Sequence, residues 1–87
     1  MEANILVVED DEGFARFIEL ELQHEGYTVT RTDNGRDALE IASSRDFALI
    51  LLDIMLPKLN GLEVLRRLQQ TKATPVILLT ARDAVMD

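Results

Sequence analysis

Apolar residues fall into two rhythms along this chain. Short unbroken aliphatic runs, Ile5-Leu6-Val7-Val8, Leu49-Ile50-Leu51-Leu52 and Val76-Ile77-Leu78-Leu79, are too brief for most helices and read as strands buried in a sheet. Between them, apolar positions recur every three or four residues, the period of a helix with one face turned inward. From Asp11 to Glu25 that stripe is Phe14, Phe17, Ile18 and Leu22, with Asp10 or Asp11 able to cap its start and Gly26 placed to end it. Tyr27 to Arg31 alternates like a short edge strand. Asp33-Asn34-Gly35 has turn and cap chemistry, and Arg36 to Ser43 carries Ala38, Leu39, Ile41 and Ala42 on one helical face. After Pro57, the loop Leu59-Asn60-Gly61 leads into a helix from Leu62 to Gln70 through Leu62, Leu65 and Leu68, with Arg66 and Arg67 on its wet side. Arg82 to Asp87 reads as the first turn of a further helix.

The order is β-α-β-α-β-α-β, with strands spaced by roughly 25 residues, close to the size of a βαβ unit. Right-handed crossovers then make the sheet parallel and put helices on both faces. The expectation is a single doubly wound α/β domain over residues 1–87, cut off as its fourth helix begins.

In such a sheet the ligand crevice forms at the carboxyl ends of the strands. Three of those ends carry polar groups: Glu9-Asp10-Asp11, Asp53 and Thr80. Asp53 closes the Leu49–Leu52 run and must be solvated, paired or metal-bound, since burying a lone carboxylate is prohibitive. Carboxylates gathered at about 6 Å repel by roughly 3 kcal/mol per pair at an effective dielectric near 20. A divalent cation reverses that sign, and an all-oxygen donor set favours Mg²⁺. Beside such an ion Asp53 can accept a phosphoryl group. A Thr80 hydroxyl could donate to a phosphoryl oxygen, and the small Ala81 leaves that oxygen room. Met55 is expected to pack its side chain in the core.

Charge and composition narrow the partners. Net charge is −7, with 16 acidic residues against 9 basic ones, so these residues should repel nucleic acid. The chain has no cysteine, which removes disulfides and thiolate metal sites. No apolar run approaches a membrane span and the start lacks a signal peptide's basic region, so the cytoplasm is the expected location.

Together, Ile5-Leu6-Val7-Val8-Glu9-Asp10-Asp11, Leu51-Leu52-Asp53-Ile54-Met55-Leu56-Pro57 with Gly61, and Pro75-Val76-Ile77-Leu78-Leu79-Thr80-Ala81 resemble the receiver domains of two-component response regulators. The resemblance spans the whole chain and looks most like regulators that carry a winged-helix DNA-binding domain. It implies a flavodoxin-like fold with strand order 2-1-3-4, the fifth strand and last helices missing. It makes Asp53 the phosphoacceptor, Asp10 and Asp11 Mg²⁺ ligands together with Asp53 and the Met55 backbone carbonyl, Thr80 the switch hydroxyl, and Ala81 a phosphoryl contact. It implies a sensor histidine kinase as partner and a transcriptional output domain outside this chain, the receiver itself being no enzyme.

Two other functions compete. A phosphoaspartate-forming phosphatase would want an acid/base carboxylate two residues after its nucleophile, and that place is Met55. A shortened, phosphorylation-impaired fragment would expose the Val76–Thr80 edge and associate with itself as a dimer or larger.

Overall fold

The aliphatic runs pair as one parallel sheet. The computed structural model describes residues 3–56, 59–71 and 73–79. Within them β1 (Asn4–Val8), β2 (Thr28–Thr32), β3 (Leu49–Asp53) and β4 (Val76–Leu79) alternate with α1 (Glu12–His24), α2 (Gly35–Ser44) and α3 (Gly61–Thr71). The sheet runs β2-β1-β3-β4, and every pairing is parallel. This is the flavodoxin-like order, whose switch point lies between β1 and β3. Thr80, Ala81 and the helical turn expected from Arg82 lie outside the described residues.

Local chemistry sets the helix ends. Asp11 has extended backbone angles and its side chain accepts the Phe14 N–H, capping α1. At the other end Gly26 takes a left-handed φ of 98°. There the Tyr27 N–H reaches Leu22 O and the Gly26 N–H reaches Gln23 O, a Schellman closure that only glycine enters without strain. Asn34 caps α2 by accepting the Asp37 N–H at 2.9 Å, and its own amide donates to Asp33 and Asp37.

The main core lies on the α2/α3 side, where Leu6, Val8, Ile50 and Leu52 of the sheet meet Ala38, Ala42, Val64 and Leu68. Alternation along β1 turns Ile5 and Val7, also buried, to the opposite face. That face is covered by α1, through the buried Ala15.

The inward stripe of each helix starts from a small residue. In α2 it runs Gly35, Ala38, Leu39 and Ala42; in α3, Gly61, Val64, Leu65 and Leu68; in α1, Ala15, Ile18, Glu19 and Leu22. The expected faces of α1 and α3 are therefore rotated. Leu62 is 53% exposed while Val64 is fully buried, and Phe17 is 58% exposed. Small residues allow the helix axis to sit close to the sheet, so the larger apolar neighbours are left at the flank. Two aliphatic runs are also less enclosed than a doubly buried strand: Leu49 and Leu51 of β3 are half-buried, and Ile77 of β4 is exposed. Met55 is a further correction. The chain turns after β3, Leu56 packs against the core, and the Met55 side chain is 62% exposed.

Candidate functional site

Asp53 is the last residue of β3 and is almost fully buried. Its Oδ1 accepts the Met55 N–H at 3.2 Å, so the turn that follows grips the carboxylate it leaves. Ile54 ties that turn to its neighbours, donating to Leu79 O at 3.1 Å and accepting the Gly61 N–H at 2.9 Å. Gly61 lies so close that a Cβ there would sit 2.2 Å from the Asp53 carbonyl oxygen and 2.7 Å from Ile54 Cα. This glycine is required by the approach of two backbones.

On the neighbouring strand Val8 is in register with Leu52, which brings the next residue, Glu9, level with Asp53. Glu9 is buried; its N–H donates to Thr32 O and its Oε2 accepts the Asp11 N–H at 3.0 Å. Asp10 follows, exposed. One carboxylate oxygen from each of Glu9, Asp10 and Asp53 lies within 4.8 Å of the others.

The predicted residues thus separate. Asp10 and Asp53 come together. Asp11 sits beside them in sequence but turns Oδ1 to the Phe14 N–H as a helix cap. Glu9, counted among the edge carboxylates but not among the ion's ligands, is the third member of the cluster. The Met55 backbone lies against Asp53 through its N–H. The signal for Glu9 was present in the register: it directly follows the last residue of β1, and parallel strands align their ends.

Oxygen donors alone, gathered this closely and drawn from two segments, fit a hard divalent cation such as Mg²⁺ and suit no soft metal. Away from the site, hydrogen bonds from Arg66, then Arg67, hold the Glu63 carboxyl below the usual glutamate range.

The receiver-domain profile of response regulators fits residues 5–87, nearly the entire chain. The chain belongs to the response regulator receiver family. Among relatives of this receiver domain, the uncharacterized transcriptional regulatory protein YkoG of Bacillus subtilis is 56% identical over 85 residues, covering 97% of this chain and 37% of that protein. The response regulator ArlR of Staphylococcus epidermidis is 49% identical over 84 residues, covering 97% and 38%. The chain therefore spans less than two fifths of the length of these relatives.

Solved structures agree on the fold. The receiver domain of sensor histidine kinase PA1611 from Pseudomonas aeruginosa, with a magnesium ion coordinated in its active site cleft, superposes with a TM-score of 0.91 at 32% identity, covering 100% of this chain and 74% of that one. Response regulator TrrA from Thermotoga maritima, in complex with Mg²⁺-BeF, gives 0.88 at 37% identity, covering 99% and 75%. Among the described residues no helix is long and apolar enough to cross a membrane.

Proposed function

We propose that this receiver domain accepts a phosphoryl group on Asp53, with Mg²⁺ bound by the carboxylates at the sheet edge, and so controls an output segment outside this chain. The observation that carries the reading is the approach of the Glu9, Asp10 and Asp53 carboxylate oxygens to within 4.8 Å at the ends of two adjacent parallel strands. Asp10, Asp53 and the Met55 backbone carbonyl would hold the ion. The third acidic place is better suited to Glu9 than to Asp11, whose Oδ1 already serves α1. When bound, Mg²⁺ offsets the negative charge on the phosphoryl oxygens and on the site itself.

The chain's own residues do the rest. Strand β3 and the Met55 N–H fix the Asp53 carboxylate, which limits the entropy lost in reaching an in-line approach. An Asp53 oxygen forms the bond to phosphorus, the bond to the donor's leaving atom breaks, and that atom keeps the electron pair. Leu79 is in register with Asp53, and the next residue in the chain is Thr80. Its hydroxyl would donate to a phosphoryl oxygen, and Ala81 would leave that oxygen room. The position two residues after Asp53 is the exposed Met55, which can move no proton, so the acyl phosphate persists and the domain acts as an acceptor rather than a turnover enzyme. The donor is a sensor histidine kinase, the site of action the cytoplasm, and the output transcriptional, in keeping with the regulators to which the chain is similar.

Incubation with a small-molecule phosphodonor and Mg²⁺ tests this. Intact mass should rise by one phosphoryl group per chain, and neither the metal-free protein nor Asp53→Asn should label. Equal labelling of Asp53→Asn would remove Asp53 from the role.

A second property rests on other residues. Strand β4 is an edge of the described sheet, and Ile77 on it is 52% exposed. Such an edge pairs readily with a second copy of itself. Sedimentation velocity should show association rising with concentration; a monomer at high micromolar concentration refutes it.

A further inference from the structure

Behind the carboxylate cluster lies a second charged assembly. Val7 and Arg31 are partners in register, which sets the Arg31 side chain on the α1 face of the sheet. There its Nη2 reaches Glu12 Oε2 at 3.1 Å and its Nε reaches Glu19 Oε1 at 3.4 Å. Arg31 side-chain exposure is 28%, and its buried Nη1 donates to no acceptor among the described residues. Arg31 and Glu9 line one cavity of about 300 Å³, together with Glu12, Ala15, Thr32 and Asp33. The same Glu9 belongs to the carboxylate cluster. A permanent positive charge thus shares a cavity with one member of a cation site.

We propose that Arg31 is a fixed counter-charge that limits how tightly the Glu9–Asp10–Asp53 cluster holds a divalent cation. The inference rests on the metal reading above and deepens it. Three features support it. A guanidinium does not titrate at working pH, so its field is always present. The Glu9 N–H bond to Thr32 O locks Glu9 to the strand that carries Arg31, so the two cannot drift apart. Arg31 also neutralises Glu12 and Glu19, which would otherwise add to the negative field behind Asp10. A merely structural anchor would act with the opposite sign, because loosening the start of α1 scatters the carboxylates and weakens binding.

The sign therefore decides. Calorimetry with MgCl₂ at low ionic strength should give affinity about three- to tenfold tighter for Arg31→Met than for the unsubstituted chain, the order expected when one solvent-screened unit charge lining the same cavity as Glu9 no longer opposes a divalent ion. Arg31→Lys keeps the charge and should stay within about twofold, and the gain in Arg31→Met should shrink at 0.5 M NaCl, where the Debye length is only about 4 Å. Should Arg31→Met fail to fold, Arg31→Gln and Glu12→Gln carry the test in opposite directions, the first tighter and the second weaker. Affinity unchanged or reduced in the neutral Arg31 variants overturns the inference, provided that Asp53→Asn loses Mg²⁺ binding. If Asp53→Asn binds Mg²⁺ as well as the unsubstituted chain, the metal reading itself has failed.

Discussion

Replacing Gly61 by alanine isolates the contact that aims Asp53. The added Cβ would stand 2.2 Å from the Asp53 carbonyl oxygen and 2.7 Å from Ile54 Cα, whereas an unstrained contact is about 3.5 Å. Backbone must therefore move by about 1 Å, and no flexible side chain is present to absorb the change. Overpacking of this kind costs about 1–3 kcal/mol. The displaced segment carries Asp53, the proposed acceptor, and a misplacement of about 1 Å can cost on the order of 100-fold in rate. Gly61→Ala should thus lose both stability, by urea denaturation, and phosphorylation rate, under conditions where it is fully folded.

Two other glycines separate these effects. A Cβ at Gly35 would meet Leu59 O at 2.3 Å and Val64 Cγ2 at 2.6 Å. Gly35→Ala should therefore lose stability to a similar extent, yet keep most of its phosphorylation rate. Gly13 lies in α1 with nothing nearer than Asp11 Oδ1 at 3.6 Å, so Gly13→Ala should be stabilising by up to about 1 kcal/mol. A Gly61→Ala protein with an unchanged urea midpoint and unchanged rate would refute the reasoning.

Asn34 both caps α2 and is buried with its amide donating to Asp33 and Asp37, so Asn34→Ala should cost about 1–2 kcal/mol in denaturant unfolding. Asp11→Ala should cost about 1 kcal/mol of cap while leaving Mg²⁺ affinity in calorimetry near its original value; a large loss of affinity would make Asp11 a ligand. Glu63, held below its usual range by Arg66 and then Arg67, contributes stability that is present above the ordinary glutamate pKa and fades as pH falls through the lowered one. Side-chain carboxyl NMR should give Glu63 a lower midpoint than an unpaired surface glutamate, and an equal midpoint would show that the arginine contacts do not persist in solution.

Much of this architecture could be read directly from residue pattern. The run Leu49–Leu52 ending at Asp53 marks β3 to the residue, because an abrupt change from aliphatic to carboxylate coincides with the sheet edge. Asp10 or Asp11, Asp33 or Asn34, and Gly26 announced the helix ends because capping is decided within a few residues, and the structure selects Asp11 and Asn34 as the caps. The rotation of α1 and α3 was illegible for a physical reason. The positions they bury include Ala15 and Gly61, which carry little or no hydrophobic weight, so the apparent stripe was phased on Phe14, Phe17 and Leu62 instead. The place of Glu9 in the carboxylate cluster was hidden for a related reason. Adjacent acidic residues look alike in sequence, and only the strand register and the Phe14 N–H separate the one facing Asp53 from the one spent on the helix.

The cluster should also leave a mark on stability. Glu9, Asp10 and Asp53 present oxygens within 4.8 Å of one another, whereas in the unfolded chain Asp53 is far from the other two. Folding therefore brings like charges together, and the cost is greatest with no cation present. Asp10 is exposed, so screening reduces its share, and neutralising it as Asp10→Asn should stabilise the metal-free protein by about 0.5–2 kcal/mol. Millimolar Mg²⁺ should reverse the ranking, because an ion that binds only the folded state adds RT ln(1 + [Mg²⁺]/Kd) and Asp10→Asn forgoes most of it. Thermal unfolding with and without MgCl₂ would show the two curves cross. If Asp10→Asn is less stable than the unsubstituted chain even in chelator, the carboxylates are not repelling one another, and their convergence needs a different physical account.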